Sequence, residues 1–468
     1  MIKKKVILFN ISDLQEPNSH PALGLGYIKA YVLKYYQSDV DIVIARDNIL
    51  ETIVKEKPDL IGVSSVTQFY TSAVKFCEQI KKLLPLTPIV VGGVHISTLP
   101  ESFNEIFDFG IIREGEITFC EITKLLIKGE LNKKNLTAID GLVWEDEGKI
   151  ILTKSRELLQ DLDEIPHINR EDYSHKSYAH IITSRGCPYA CAFCSSTHFW
   201  GTRKVRYHSA KYVYEEIEIL SKKGIKHISI WDDLFVFNIS RLKELLALLK
   251  NNENLKKGMT FGCTVRANVV TEELCTILKE LNVKYVSMGL ESGSDKILEK
   301  IKGAVSVEDN IKAVRLLHKN GFVTKASFVI NNPDEDLHDL EKTFKLIKES
   351  QLDAGDVNIA IPLPSTPYWD YALKERLVAN DMDFGLLNIK TDIKNLTNKD
   401  FIKMSKNVSH DDIIKWGRLI QQELRRKEIG AFWKLVKWNN VLIAIKDPGM
   451  AIKYILRNTV DFFKRSKT

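Results

Sequence analysis

Residues 181–194 read IITSRGCPYACAFC. The run begins inside a predicted buried strand, residues 179–183, and passes through Arg185 and Gly186 into three cysteines spaced C-x3-C-x2-C. In folds built from parallel strands and helices, chemistry is placed at the carboxyl ends of the strands. The stretch therefore predicts a ligand-binding loop at the end of the first strand of an α/β domain.

The three cysteines Cys187, Cys191 and Cys194 favour an iron–sulfur cluster. Such clusters are normally held by cysteine thiolates, and four of them would saturate a [4Fe–4S] cluster. Three ligands leave one iron open to a substrate or a cofactor. A zinc site with a distant fourth ligand and chance clustering are the alternatives, but zinc motifs usually carry two C-x2–4-C pairs, and the chain has no second pair.

After the loop, strand and helix patterns alternate in a regular series. The intervening helices are amphipathic, as the stripe of Val213, Ile217 and Leu220 indicates. Right-handed crossovers turn such a series into a curved sheet or partial barrel. We expect a six-strand partial TIM barrel over residues 178–385. Its predicted strands are 179–183, 227–231, 260–265, 284–289, 324–330 and 356–361.

Before the loop, a separate series predicts a Rossmann-like, doubly wound parallel sheet over residues 1–153. Its first strand, 6–9, is followed by a helix at 25–33. The remaining predicted strands are 41–44, 60–63, 89–91 and 109–112, with a closing hairpin at 142–144 and 150–152. The polar residues 154–177 are expected to form a linker.

The composition fits a soluble protein with several domains. The chain has 468 residues, 44% apolar and 27% charged, which excludes disordered, collagen-like and disulfide-scaffold classes. The start lacks a signal-peptide pattern, and no apolar run approaches the ~20 residues that span a bilayer. We therefore expect a cytoplasmic, reducing location.

The net charge of +6 is unevenly distributed. Residues 401–468 hold 15 Lys and Arg against 6 Asp and Glu, so the rest of the chain is slightly acidic, and nucleic acid is not an expected partner. Residues 386–468 are predicted to be basic and helical, with one apolar stripe. This region could make peripheral membrane contact or cap the barrel. The stripe is Ile413, Trp416, Ile420 and Leu424, continued by Trp433 and Trp438 among Lys434, Lys437, Lys446, Lys453 and Arg457.

The cysteine motif resembles that of the radical S-adenosylmethionine (SAM) superfamily, C-x3-C-x-aromatic-C, with Phe193 at the aromatic position. The resemblance implies that SAM binds the open iron and is reductively cleaved to methionine and a 5′-deoxyadenosyl radical. An external one-electron reductant such as flavodoxin or ferredoxin is then expected.

The same resemblance implies SAM-side residues at the strand ends. They are Asp232 after the second strand, Arg266 after the third, and Glu291 and Ser292 after the fourth, together with Phe193 of the motif itself. Glu291 could accept hydrogen bonds from the ribose hydroxyls or ammonium, or cap the helix beginning near Asp295. Arg266 could pair with the SAM carboxylate, or with Asp232 or Asp233. Residues 331–335, NNPDE, depart from the Gly-x-Pro-Gly-Glu that relatives usually carry after strand five.

Other stretches resemble the subgroup with an amino-terminal cobalamin-binding domain. They are 21–27 (PALGLGY), 92–95 (GGVH), 113–116 (REGE), 199–201 (FWG) and 205–209 (VRYHS). Hydroxyls at strand ends and glycines that admit a bulky ligand support a nucleotide-like ligand there. No Asp-x-His-x-x-Gly motif is present, and His20 stands alone, so a domain that keeps the fold without the corrinoid is the alternative. The predicted corrinoid residues are Ser64, Ser65, Thr67, Gly92, Gly93, His95 and Glu114.

Together these features predict a radical SAM enzyme with a [4Fe–4S] cluster, SAM and cobalamin, which transfers a methyl group to an unactivated carbon of a small molecule. A lipid-like or natural-product intermediate is the expected substrate. The alternatives are a cobalamin-independent cyclase or rearrangement enzyme, and a non-catalytic iron–sulfur or corrinoid-binding protein. The remaining cysteines, Cys77, Cys120, Cys263 and Cys275, are expected in the core, and their scatter argues against a second cluster of the methylthiotransferase kind.

Overall fold

The computed structural model describes residues 3–15, 22–170, 178–388 and 393–444, with side chains as far as residue 431 apart from that of residue 394. His20, together with Lys446, Lys453 and Arg457 of the tail, lies outside these residues. The side chains of Trp433, Lys434, Lys437 and Trp438 are likewise not described.

The amino-terminal unit is a doubly wound sheet, as predicted. Within the described residues its strands are β1 (Lys4–Asn10), β2 (Val40–Ala45), β3 (Leu60–Ser64), β4 (Ile89–Gly92), β5 (Phe109–Ile111), β6 (Leu142–Asp146) and β7 (Lys149–Leu152). The spatial order is β2-β1-β3-β4-β5-β6-β7. The first five strands run parallel, and β6 and β7 add an antiparallel hairpin.

Helices cover both faces of this sheet, which buries most of β1, β3, β4 and β5 and explains their continuous apolar runs. They are α1 (Ser12–Gln15), α2 (Leu23–Tyr36), α3 (Ile49–Glu56), α4 (Tyr70–Leu83), α5 (Val94–Thr98), α6 (Glu116–Lys128) and α7 (Lys133–Leu136). Trp369, Phe384 and Leu387 from much later in the chain join the same core. The two units are therefore packed together rather than tethered only by residues 154–177.

The second unit is the six-strand open barrel that the sequence predicts. In the described part of the chain its strands are β8 (Tyr178–Ile181), β11 (His227–Ile230), β12 (Thr260–Val265), β13 (Val283–Glu291), β14 (Val323–Ile330) and β15 (Ala354–Ile359). All neighbouring strands are parallel, in the order β15-β14-β13-β12-β11-β8. A two-stranded antiparallel ribbon, β9 (Ser184–Arg185) with β10 (Arg206–Tyr207), was not predicted.

Helices surround the convex side of this barrel. They are α8 (Ser196–Trp200), α9 (Ala210–Lys222), α10 (Ile239–Lys250), α11 (Glu253–Gly258), α12 (Glu272–Glu280), α13 (Asp295–Ile301), α14 (Val307–Lys319), α15 (Leu337–Glu349), α16 (Pro367–Lys374) and α17 (His410–Ala444). Cys263 and Cys275 are buried in this core, and Cys77 and Cys120 in the amino-terminal core. These four cysteines are core residues, as predicted.

The long helix α17 packs against β15 and α15. Its predicted apolar stripe is used there, because Ile413, Ile420 and Leu424 are fully buried and Trp416 packs against the barrel core. The described part of the stripe thus caps the barrel. A search of the described residues found no helix with the length and apolar character needed to cross a membrane.

Candidate active site

The three cysteines lie on a loop between β9 and α8, at the carboxyl end of the first barrel strand. Gly186 opens this loop with φ +100°, and a Cβ there would lie 2.6 Å from the carbonyl oxygen of Lys204, so only glycine fits. Ala192, in the middle of the loop, donates its N–H to the carbonyl of Ile301 (2.7 Å) and accepts from the N–H of Tyr368 (3.2 Å). The loop is therefore held from two sides by the barrel.

The donor set suits an iron–sulfur cluster. All three thiols are free and partly exposed, and burial raises the pKa of Cys187, and that of Cys194 to about 12, so a bound metal would have to displace their protons. No three His, Cys, Asp or Glu side chains of the described residues converge tightly enough to hold one metal ion. Cluster ligands bind different irons and stand further apart than the ligands of a single ion.

Arg266, after β12, lies directly against the cluster loop. Its Nη1 donates to the Sγ of Cys191 at 3.5 Å, and its Nη2 donates to the carbonyls of Lys302 and Gly303 at 2.8 and 2.6 Å. The guanidinium stands 3.9 Å from the ring centre of Tyr189. Among the described residues it forms an ion pair with neither Asp232 nor Asp233. Arg266 thus contacts a cluster ligand.

Glu291 ends β13 in a strained conformation beside a buried cation. Its φ is +64°, in the left-handed region that costs a non-glycine residue about 1–2 kcal/mol. Its Oε1 lies 3.2 Å from the Nζ of Lys302, which also donates to the carbonyl of Gly289. The helix-cap alternative is wrong, because α13 has Ser294 at its N-cap position and no side-chain cap. Strain of this kind is characteristic of ligand sites.

Ser292 and Asp232 are engaged by the protein itself. The hydroxyl of Ser292 is buried against that of Thr343, 3.2 Å away. Both carboxylate oxygens of Asp232 accept hydrogen bonds from Thr183 and Ser184, the residues that lead into β9. Asp232 therefore anchors the chain entering the cluster loop.

The loop after β14 has the left-handed backbone conformation of a glycine motif, although asparagine stands where glycine is usual. Asn331 has φ +73°, and Asn is the non-glycine residue that tolerates this region well. Its amide donates to the carbonyls of Ala360 and Ile402 and accepts from the N–H groups of Met404 and Ser405. Asn331 thus replaces the first glycine of the usual motif and ties the barrel to the segment before α17.

Phe193 and the segment before α17 share a small apolar cluster beneath the cysteine loop. The ring centre of Phe193 is 6.3 Å from that of Tyr368, and the cluster includes Ile301 and Met404. Tyr368 in turn donates to the side-chain oxygen of Asn332 at 2.6 Å. The aromatic residue of the motif therefore packs the cluster loop onto the barrel.

A cavity of about 370 Å³ opens at the carboxyl ends of the first sheet. Its first wall contains Ser64, Gly92 and Gly93 at the ends of β3 and β4, together with Glu114. Its opposite wall comes from the barrel unit, on both sides of the cysteine loop. Those barrel residues are Ile182, Arg185, Phe199 and Trp200.

Three of the seven predicted corrinoid residues do not line this cavity. Ser65 and Thr67 are buried, and the Ser65 hydroxyl donates to the carbonyl of Val66. His95 is completely buried between Tyr70 and Phe384, with ring centres at 3.9 and 4.4 Å, and burial lowers its pKa to about 3. The structure therefore gives His95 a packing role between the two units.

The fourth cavity residue, Glu114, belongs to a buried network between the units. Its Oε1 accepts from Arg185 at 2.6 Å and its Oε2 from Arg206 at 2.9 Å, while Glu116 accepts from Arg185 at 2.6 Å. The side chains of these four residues, which we call the arginine clamp, are only 3–8% exposed. Arg185, which precedes the three cysteines in the sequence, points to the first unit.

Sequence reasoning missed several residues of the site. Asp233 accepts from the Ser196 hydroxyl and the Trp200 indole, yet only its neighbour Asp232 was chosen. Lys302 carried no motif of its own, and Glu116 lies in the quoted stretch 113–116 but was not chosen as a site residue. Residues 113–116 (REGE) and 184–187 (SRGC) were both noted in the sequence. The negative charge of the first stretch and the positive charge of Arg185 in the second were the one signal that could have predicted their contact.

Comparisons with known proteins agree with this geometry. The radical SAM superfamily model matches residues 181–347, and the B12 binding domain model matches residues 16–123. A structure of the radical SAM methyltransferase TsrM from Kitasatospora setae, with cobalamin and a [4Fe–4S] cluster bound, superimposes with a TM-score of 0.69 at 18% identity, over 81% of this chain and 76% of that one.

Two curated relatives extend over most of the chain. One is the "uncharacterized methyltransferase PH0819" of Pyrococcus horikoshii, 32% identical over 76% of this chain and 80% of its own length. Another is the anaerobic magnesium-protoporphyrin IX monomethyl ester cyclase of Rubrivivax gelatinosus, 25% identical over 74% of this chain and 65% of its own. The cofactors of the two matched domains are a [4Fe–4S] cluster with SAM, and cobalamin. The chain is an enzyme of the radical SAM superfamily, in the group that carries an amino-terminal B12-binding domain.

Proposed function

We propose that this enzyme transfers a methyl group to a carbon atom of a small molecule. When bound, the cluster and SAM supply a 5′-deoxyadenosyl radical, and the corrinoid supplies a transferable methyl group. The observation that carries the proposal is the shared cavity. Its walls are the strand ends of the B12-binding domain and the residues flanking the cysteine loop, so the cobalamin site lies next to the cluster loop.

The roles of the side chains follow from their positions. Cys187, Cys191 and Cys194 would hold the cluster, and Arg266 would place positive charge beside the sulfur of Cys191. Glu291 and Lys302 offer an acceptor and a cation to the two ends of a bound amino acid group. Gly92 leaves room for the corrinoid, and Ser64 offers a hydroxyl to it.

The concave face of the barrel favours a substrate with polar groups over a lipid-like one. Val286 and Met288 of β13 point into the core, so Ser287 between them faces the other side of the sheet. On neighbouring strands Lys325 and Asp356 form an ion pair at 2.9 Å, and their side chains remain 35% and 44% exposed. Such a lining suits hydrogen bonding, and we propose a polar natural-product intermediate.

The other partners remain as the sequence predicts them. A flavodoxin or ferredoxin is the proposed reductant, and the cytoplasm is the proposed location because free thiols and a cluster require a reducing compartment. Any membrane contact is assigned to residues 432–468, since the apolar stripe before them is buried.

The test uses the whole protein under anaerobic conditions. The cluster is reconstituted, hydroxocobalamin, methyl-deuterated SAM and a reductant are added, and 5′-deoxyadenosine and S-adenosylhomocysteine are measured. We expect both products, because each SAM serves one of two purposes. The triple variant C187A/C191A/C194A should lose 5′-deoxyadenosine, while C275A, which removes a buried core thiol, should keep it.

A radical cyclase is the second candidate, and the relative from Rubrivivax gelatinosus favours it. That enzyme class would form 5′-deoxyadenosine without S-adenosylhomocysteine. Formation of 5′-deoxyadenosine alone therefore refutes methyl transfer, and formation of neither product refutes both candidates.

A further inference from the structure

The arginine clamp is built around an unfavourable pair. Arg185 and Arg206 are directly opposite each other in the ribbon β9–β10, where side chains on one face are about 5 Å apart and like charges destabilise the pairing. Both guanidiniums are buried, so water does not screen their repulsion. The ribbon alone is therefore a poorly stable element.

The first unit supplies the negative charge that neutralises the two arginines of the ribbon. Glu114 bridges both arginines and Glu116 takes the second arm of Arg185, so two carboxylates neutralise two guanidiniums. Glu114 also accepts from the N–H of Leu159, and Arg206 donates to the carbonyl of the same residue. Segment 113–116, Leu159 of the linker and the ribbon are thereby joined by direct hydrogen bonds.

The same clamp touches both cofactor sites. Glu114, Gly115, Glu116 and Arg185 line the corrinoid cavity. On the other side, Arg185 is two residues before Cys187, the first cluster ligand. Trp200, also in the cavity wall, lies under both guanidiniums, with its ring centre 6.0 and 5.5 Å from them. Arg185 thus links the cavity wall to the start of the cluster loop.

We propose that the arginine clamp couples the two cofactor sites, with Arg185 as the positioning residue: binding of the corrinoid sets the geometry of the cluster loop, and the loaded cluster raises the affinity for the corrinoid. This coupling depends on the proposed function in one respect, because it requires both cofactors to bind to the protein. Because coupling is reciprocal, it is measurable as a change in binding affinity, without turnover.

The experiment measures the dissociation constant of hydroxocobalamin by absorbance titration, with and without the reconstituted cluster. For the natural sequence we expect the cluster to tighten binding by about fivefold or more, the usual lower range of coupling between sites. The ratio of the dissociation constant without the cluster to that with the cluster should fall close to one in both E114Q and E116Q. E116Q leaves Glu114 in contact with both arginines, so it tests the clamp even if E114Q does not fold.

E216Q is the matched control. Glu216 pairs with Arg170 at 2.6 Å, with side chains 4% and 7% exposed, so this variant breaks a buried ion pair of the same kind outside the cavity wall. It should keep the ratio of the natural sequence. A ratio of one in the natural sequence, an unchanged ratio in E116Q, or an equal loss in E216Q would overturn the coupling. An active enzyme with a ratio of one refutes only the coupling, whereas coupled binding without products refutes only the proposed function.

Discussion

The guanidinium of Arg266 donates a hydrogen bond to the Sγ of Cys191 at 3.5 Å. Hydrogen bonds and positive charge at cluster sulfurs favour the reduced state, because reduction adds negative charge there. Arg266 also holds the carbonyls of Lys302 and Gly303, so one side chain fixes the cluster loop to the segment after α13. The cluster environment is therefore set by a residue 75 positions away along the chain.

Replacing this arginine should make the cluster harder to reduce. For R266Q we expect the midpoint potential to fall by roughly 60 mV, equivalent to about a tenfold change for a one-electron couple. An EPR-monitored redox titration of the reconstituted protein measures it. R266K keeps the charge and should fall less, and equal potentials in all three proteins would contradict the assignment.

The adjacent glycines Gly92 and Gly93 should respond differently to the same substitution. A Cβ on Gly92 meets nothing within 4 Å, so G92A should fold normally but bind hydroxocobalamin about tenfold more weakly, since the methyl group enters the cavity. At Gly93, φ is +102° and a Cβ would lie 2.6 Å from the carbonyl of Ser65, so G93A should lose ~2 kcal/mol of stability. Urea unfolding and absorbance titration separate the two effects, and tight binding by G92A would show that the corrinoid lies elsewhere.

Asn331 provides a test of backbone conformation. N331A and N331G both lose the four hydrogen bonds of the side chain, but only alanine is strained at φ +73°. We expect N331G to be more stable than N331A by about 1 kcal/mol, measured by urea unfolding of the cluster-free protein. The reverse order would mean that the left-handed conformation is not maintained.

Burial of His95 should make the fold sensitive to acid. Its pKa is lowered to about 3 in the folded protein, so the neutral ring contributes stability above pH 6.5 that is lost as the pH falls towards 3. Relative to H95F, which keeps the aromatic packing and does not titrate, the natural sequence should lose about 1.4 kcal/mol per pH unit over that window. Chemical unfolding of the cluster-free proteins from pH 7 to pH 4 measures the difference, and parallel profiles would place His95 in contact with solvent.

Strands and helices with a periodic pattern of apolar residues could be predicted from the sequence. Period-two and period-3.6 patterns located the main strands of both sheets, while β9 and β10 are two residues long and carry no periodicity. The three cluster cysteines could be recognised from the sequence because they lie within eight residues of one another. Contacts such as Arg266 with Cys191, or Glu114 with Arg185, depend on how distant segments fold together, and local patterns do not encode them. Asn331 departs in residue type from the glycine of the usual motif, but its backbone adopts the conformation that the glycine would have.

The two hydrogen bonds of Ala192, to Ile301 and from Tyr368, hold the midpoint of the cysteine loop through the main chain rather than through the cysteine side chains. Oxygen destroys exposed clusters, and a loop folded only around its metal would collapse each time this happened. Here the anchors lie on α13 and α16, outside the set of cysteine ligands. We therefore expect a protein that has lost its cluster to oxygen to accept a new one without refolding.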